Sequence, residues 1–83
     1  MESIVPPTEE ERAWGARASR YLKAELKRAG MTYGELSARM ASLGFAETEA
    51  SITNKLARGT LPAAFFLAAL KATGVENVRI SDI

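Results

Sequence analysis

Four segments of this chain are each preceded by a threonine and closed by a glycine, and this punctuation is the strongest constraint on its fold. Threonine is a good helix N-cap, because its side-chain oxygen accepts a hydrogen bond from an otherwise unpaired backbone N–H. Glycine commonly ends helices in the left-handed conformation. The threonines are Thr8, Thr32, Thr48 and Thr60, and the glycines are Gly30, Gly44, Gly59 and Gly74. The pattern predicts four helices joined by short connections.

The first predicted helix is the longest and runs from Thr8 to Ala29. Glu11 stands three residues after Thr8, which completes a capping box. Gly15 costs roughly 1 kcal/mol in a helix interior relative to alanine, so we expect a kink or a break there. An apolar stripe at helical spacing marks the core side, with Trp14 in the core or covering the N-terminal arm. Its members are Trp14, Ala18, Tyr21, Leu22, Leu26 and Ala29.

The next two predicted helices are shorter. Glu35 follows Thr32 in a second capping box, and that helix directs Leu36, Met40 and Leu43 inward. The third helix begins after Thr48 and places Ile52 and Leu56 on one face, four residues apart.

The fourth predicted helix is apolar nearly all round. Thr60 is the expected N-cap, and Pro62 fits the first turn, where a missing N–H costs nothing. A helix that is apolar on both sides must be covered on both sides. Phe65, Phe66 and Leu70 are therefore expected in the core or in a dimer interface. The tail after Gly74 alternates weakly and is compatible with a short strand or an irregular last turn.

These segments predict an all-α fold of four to five helices. The 83 residues suffice for a single domain, expected at 9–83 after a flexible arm at 1–8. The sequence contains neither cysteine nor histidine, which removes thiolate and imidazole ligands and the commonest general base. We therefore expect no enzyme activity, no cofactor, no metal and no small-molecule substrate. The acidic N-terminus lacks a signal-like apolar core and no run could span a bilayer, so we expect a cytoplasmic protein without membrane contact.

Charge is unevenly distributed although the net charge is only +1. Residues 1–11 carry four glutamates and no cation, whereas residues 12–58 carry nine Lys or Arg against four Glu. A basic middle section is compatible with a polyanionic partner.

The predicted helices, taken in chain order, resemble those of Cro/C1-type (lambda-repressor-like) helix-turn-helix domains. The stretch "LKAELKRAGMTYGELSARM" is similar to the family's basic first helix followed by a capped second helix, with Leu36, Ser37 and Met40 at the family's spacing. Ile52 and Gly59 match the buried isoleucine and closing glycine of its third helix, and "FLAALKATGV" resembles its fourth. The segment from Leu36 to Ile52 is longer than the compact family pattern, so the helix-turn-helix is enlarged.

The resemblance implies a small bacterial or phage-type transcription regulator that reads the major groove of double-stranded DNA with the helix at about 48–58. It implies base readout by the outward-facing side chains of that helix and phosphate contacts around it. The candidate base-reading residues are Ala50, Ser51, Asn54 and Lys55, and the candidate phosphate contacts are Thr32, Tyr33, Arg39 and Arg58. A homodimer would match palindromic half-sites.

Two other interpretations of the same residues remain open. The polar side of the third helix is also what an ordinary solvated helix face looks like. A protein-interaction module, antitoxin-like or adaptor-like, could keep the fold without DNA binding and use the apolar fourth helix. Lys55, Arg58 and Arg39 gathered with the first-helix end on one surface would favour DNA. Glu47 and Glu49 dominating that surface would favour a protein partner.

Overall fold

Four α-helices make up most of the chain in this computed structural model, which describes residues 5–83. The helices are α1 (Glu9–Ala29), α2 (Tyr33–Ser42), α3 (Glu49–Arg58) and α4 (Ala63–Thr73), and a 3-10 turn follows at Ile80–Asp82. The predicted all-α class is confirmed, and the tail forms a turn and not a strand. Half of the expected arm, residues 1–4, lies outside the described residues.

Reciprocal capping boxes start the first three helices. In each box the threonine oxygen accepts from the backbone N–H three residues later, and that residue's side chain accepts from the threonine N–H. The pairs are Thr8 with Glu11, Thr32 with Glu35, and Thr48 with Ser51. The first two boxes were predicted, whereas Ser51 as the partner of Thr48 was not. Helices α1, α3 and α4 close on left-handed glycines, as predicted.

Helix α4 begins differently from the prediction. Its N-cap is Pro62 and not Thr60, and no side chain caps it. Pro62 has a ψ of 146°, which is an extended value, so the helical geometry starts only at Ala63. A proline ring fixes φ and leaves ψ free, which is why proline suits the cap as well as the first turn.

The core lies where the four helices converge. Helix α1 packs against α3 and α4, and α2 packs against the same two. The residues with no exposed surface are Leu22, Leu36, Met40, Ile52 and Ala69, and those nearly as enclosed are Leu26, Leu56, Phe65 and Leu70. Phe65 and Leu70 are therefore core residues, and Phe66 is partly buried against them.

Trp14 and Leu43 do not occupy the core positions predicted for them, and Ala29 at the end of the predicted α1 stripe is exposed as well. Trp14 is 48% exposed, and the Arg17 guanidinium lies 4.1 Å from the centre of its ring. Leu43 is 39% exposed because it is the C-cap of α2. Leu67 is 65% exposed, so α4 is covered on one side more than the other. Trp14 is therefore not a core residue, because the first turns of α1 extend beyond the buried part of that helix; its alternative role as cover for the N-terminal arm stays a prediction.

Helix α1 runs without a break through Gly15, so the predicted break is absent. The glycine is needed for another reason: a Cβ atom at this position would lie 2.1 Å from the Gly59 carbonyl oxygen. Gly59 itself closes α3 with a φ of +69°. The two glycines let the backbones of α1 and α3 meet almost directly.

Two polar contacts hold other segments of the chain against α1. Ser19 is 3% exposed, and its hydroxyl donates to the Leu56 carbonyl oxygen at 2.5 Å. On the other side of α1, the Arg17 guanidinium donates to the Ile83 carbonyl oxygen at 2.9 Å, which ties the tail to the helix. The end of α3 and the tail are therefore both fixed against α1.

Candidate nucleic-acid interface

Helix α3 has a buried side and an exposed side. Ile52 and Leu56 anchor it in the core, where they are 0% and 2% exposed. The opposite side carries a continuous exposed stripe at helical spacing, which we call the α3 stripe. It consists of Ala50, Thr53, Asn54 and Ala57. These four residues have small, hydroxyl and amide side chains, and the exposed Glu49 stands one helical turn before Thr53.

Two of the four candidate base-reading residues lie on this stripe and two do not. Ala50 and Asn54 are exposed, as predicted. Lys55 instead donates from Nζ to both carboxylate oxygens of Glu47, at 2.9 Å each. The Ser51 hydroxyl donates to the same carboxylate at 2.7 Å and also completes the α3 capping box. The expectation that Ser51 and Lys55 face outward is wrong, because Glu47 draws both toward the α2–α3 connection.

Thr53 and Ala57 were missed by sequence reasoning. The signal was available, because these residues stand three and seven positions after Ala50 and so share its side of a helix. Thr53 is exposed, and its hydroxyl donates to the Glu49 carbonyl oxygen one turn earlier, at 2.9 Å.

Glu47 is largely enclosed and forms an ion pair with Lys55. Its side chain is 13% exposed, and that of Lys55 is 28% exposed. Burial by itself raises the pKa of Glu47, but hydrogen bonds from Ser51 and Lys55 and the positive charge of Lys55 together lower it below the ordinary value. Glu47 is therefore ionised at neutral pH and its charge is balanced locally. The ammonium group of Lys55 also lies 5.2 Å from the centre of the Phe65 ring.

Glu49 is the first residue of α3, and its side chain is exposed. Its carboxylate lies against the first turn of α2, with Oε1 3.5 Å from the position that a Cβ at Gly34 would take. The positive end of a helix attracts carboxylates, so this is a favourable place for the side chain. It also places a negative charge close to the predicted phosphate contacts Thr32 and Tyr33.

The four candidate phosphate contacts are not gathered on one surface. Thr32 is exposed and caps α2, and Tyr33 is partly buried against the core. Arg39 donates from Nη1 to the Ala72 carbonyl oxygen at 3.3 Å, so it is joined to the end of α4. Arg58 is exposed at the end of α3. The grouping of Lys55, Arg58 and Arg39 that would favour DNA is therefore not present, and only Arg58 lies with cations of α1.

Arg58 instead has two other cations beside it. A shallow depression of about 170 Å³ separates α1 from the end of α3, and Arg20, Lys23 and Arg58 line it. Ala57 of the α3 stripe lines the same depression. We refer to these three cations as the α1–α3 basic cluster.

In the described part of the chain, no three His, Cys, Asp or Glu side chains come together as a metal site would require. None of the helices in residues 5–83 is both long and apolar enough to cross a membrane.

The comparisons with known proteins identify a family and no activity. No curated protein and no solved structure matches the chain. Residues 14–78 match the family described as "Domain of unknown function (DUF6471)". The match covers more than half of the 83 residues, and it spans all of α2, α3 and α4 with most of α1. The chain therefore belongs to the DUF6471 family.

Proposed function

We propose that this domain binds double-stranded DNA by laying the α3 stripe in the major groove, and that it acts as a small cytoplasmic transcription regulator and not as an enzyme. The observation that carries the proposal is the stripe itself. A helix that enters the major groove must be held from behind and must present short or hydrogen-bonding side chains in front. Helix α3 meets both requirements, with Ile52 and Leu56 behind and the stripe in front.

The stripe offers a defined base-reading chemistry. Asn54 can form two hydrogen bonds with adenine, and Thr53 can bond to more than one base edge. Ala50 and Ala57 can contact thymine methyl groups, and their small size lets the helix axis come close to the bases. This assigns readout to Thr53 and Asn54, whereas Ser51 and Lys55 hold the start of α3 through Glu47.

The pairing of Glu47 with Lys55 matters for a polyanionic partner. An unpaired carboxylate beside the reading helix would repel phosphate, and the Glu47 carboxylate is instead matched by a cation at 2.9 Å. Two exposed acids remain in this region: Glu49, whose carboxylate lies against the first turn of α2, and Glu35 within that turn.

We further propose that two copies act together on DNA. With a net charge of +1, a single domain neutralises few phosphates and binds weakly, with an affinity that falls as salt rises. Two-fold pairing would double the contacts and match half-sites one helical turn apart. Sedimentation with and without a selected duplex tests this part of the proposal.

The alternative, a protein-interaction module built on α4, has less support. Helix α4 uses Phe65, Ala69, Leu70 and Ala72 within the domain, which leaves Leu67 as its exposed large apolar side chain. Single exposed apolar residues are common on protein surfaces and do not define an interface.

Selection of duplexes from a random-sequence library tests the proposal directly. The purified protein should enrich a defined site, and Thr53→Ala with Asn54→Ala should weaken binding to that site by about 10- to 100-fold, because a good bidentate contact is worth about 1–3 kcal/mol. Binding to unrelated duplexes should change little. Retention of no duplex at low salt would contradict the proposal.

Thr73→Ala with Asn77→Ala is the matched control. Thr73 donates to the carbonyl oxygen of Ala69 four residues earlier, as Thr53 does to that of Glu49, and Asn77 is exposed like Asn54. The control pair should keep the wild-type site preference. Equal losses in the two double variants would remove the stripe from the reading surface.

A further inference from the structure

The depression between α1 and the end of α3 is lined by three cations and by no acid. Two of these cations also line neighbouring depressions that contain acids, Arg20 with Glu25 and Asp82 and Arg58 with Glu11. Arg20 and Lys23 stand three residues apart on α1, and so share a side of that helix, and Arg58 is the last residue of α3. All three are exposed. The remaining residues around the depression are Ala16, Ser19, Leu56, Ala57 and Gly59, none of which is charged.

Among the described residues, none of the three cations has a fixed partner, a property they share with other exposed basic residues such as Lys27, Lys71 and Arg79. Across residues 5–83, neither an ion pair nor a side-chain hydrogen bond involves Arg20, Lys23 or Arg58. Several other basic side chains are committed to internal acceptors: Lys55 to Glu47, Arg28 to Glu25, Arg39 to Ala72 and Arg17 to Ile83. Three like charges gathered around one depression repel each other, and an anion placed between them would relieve that repulsion.

The frame that holds the cluster is fixed by direct backbone and side-chain contact. Gly15 and Gly59 bring α1 and the end of α3 together, and the Ser19 hydroxyl bonds to the Leu56 carbonyl oxygen. Both contacts involve residues that line the depression or adjoin it. The backbone positions from which the three cations extend are therefore set relative to each other, which lowers the ordering cost of binding.

The end of a helix carries a partial negative charge, which opposes anion binding beside Gly59. Its size is about half an elementary charge, against three full positive charges in the cluster. Two of the carbonyl oxygens in the last turn are also already bonded, that of Leu56 to Ser19 and that of Lys55 to the Gly59 N–H. The cluster charge therefore exceeds the opposing helix charge.

We propose that the α1–α3 basic cluster binds a phosphate group of the duplex backbone, a proposal that rests on the function proposed above. Guanidinium groups match phosphate oxygens in paired hydrogen bonds, and lysine adds a mobile point charge. Ala57 belongs both to the α3 stripe and to the depression. A phosphate held there lies at the C-terminal end of the reading helix, so helix α1 takes part in DNA binding through Arg20 and Lys23.

The salt dependence of duplex binding measures this site. The test variant is Arg20→Gln with Lys23→Gln and Arg58→Gln, and the matched control is Lys27→Gln with Lys71→Gln and Arg79→Gln. Both remove three exposed positive charges, which takes the net charge from +1 to −2. The control residues do not line the depression.

The test variant should become less sensitive to salt, and the control should keep most of its sensitivity. Removing one phosphate contact lowers the ratio of affinities at 50 and 200 mM salt by about 3.5-fold, so removing one to three contacts lowers it by about 3.5- to 40-fold. The effect should be the same on selected and unrelated duplexes, because phosphates carry no sequence information. Equal changes in the two triple variants would overturn the proposal.

A second arm uses inorganic phosphate and no DNA. Titration of the wild-type protein, followed by ¹H–¹⁵N NMR, should shift the backbone amides of Ala57 and Gly59, and the test variant should abolish those shifts. If the wild-type protein binds no duplex but shows these shifts, the proposed function fails and the site is one for free phosphate, which overturns its assignment to the DNA backbone. If duplex binds but the test and control variants behave alike, the function stands and the cluster assignment falls.

Discussion

Replacing Gly15 with alanine should destabilise the domain, against the usual effect of this change in a helix. Alanine is about 1 kcal/mol better than glycine inside a helix, so Gly→Ala normally stabilises. At this position the new methyl carbon would lie 2.1 Å from the Gly59 carbonyl oxygen, whereas real contacts of this kind stay above 3.0 Å. Helix α1 and the end of α3 must therefore separate by about 0.9 Å.

The magnitude follows from these opposing effects. Overpacking costs about 1–3 kcal/mol, and the upper end applies here because the neighbouring atom belongs to the backbone and cannot rotate away. Subtracting about 1 kcal/mol for helix propensity leaves a net loss of about 2 kcal/mol. For a domain of this size, that loss corresponds to a fall in Tm of about 8–16 °C.

Thermal unfolding followed by circular dichroism measures this effect, with Gly34→Ala as the control. A Cβ at Gly34 would have its nearest neighbour, Glu49 Oε1, at 3.5 Å, which is an ordinary contact. That variant should gain about 0.4–1 kcal/mol from the reduced freedom of its unfolded chain. The two substitutions should therefore move Tm in opposite directions. A Gly15→Ala protein as stable as the wild type would refute the close approach of α1 and α3.

Two further predictions concern the paired charges at the start of α3. Lys55→Ala should lower the free energy of unfolding, measured by urea denaturation, by about 1–3 kcal/mol, because it leaves the enclosed Glu47 carboxylate without its cation. The control Lys71→Ala removes an exposed lysine and should change that free energy by less than about 0.5 kcal/mol. Equal effects of the two substitutions would contradict the role of the ion pair. Because the folded-state pKa of Glu47 is lowered, its contribution is complete above the ordinary carboxyl pKa and is lost as the pH falls through the folded value. In thermal melts from pH 7 to pH 3, the wild type should be more stable than Glu47→Gln at neutral pH, and the difference in Tm between the two proteins should shrink in acid. A difference in Tm that does not depend on pH would exclude this linkage.

Local signals in the sequence accounted for most of the fold. A capping box and a closing glycine act within a few residues, so the bounds of α1 and α3 could be predicted from their neighbours alone. The start of α4 was placed too early, because Thr60 and Pro62 are compatible with more than one register. Gly15 was interpreted from its helix propensity, whereas its actual role depends on a residue 44 positions away in the chain.

The candidate site was less accessible to sequence reasoning. Helical spacing correctly placed Ala50 and Asn54 outside, but it could not show that Glu47 lies close enough to bind Lys55. That contact depends on the path of the α2–α3 connection, and no periodicity describes a connection. The α1–α3 basic cluster combines residues from two helices, so it becomes visible only when those helices are packed.

The contact between Trp14 and Arg17 makes tryptophan fluorescence a probe of the tail of this protein. Trp14 is the one tryptophan of the sequence, so all indole fluorescence comes from the side of α1 where Arg17 also holds the Ile83 carbonyl oxygen. Release of the tail from α1 would free the guanidinium from that oxygen and change the surroundings of the half-exposed ring. We therefore expect the emission of Trp14 to report docking of the tail without any label, from residues that belong neither to the α3 stripe nor to the α1–α3 basic cluster.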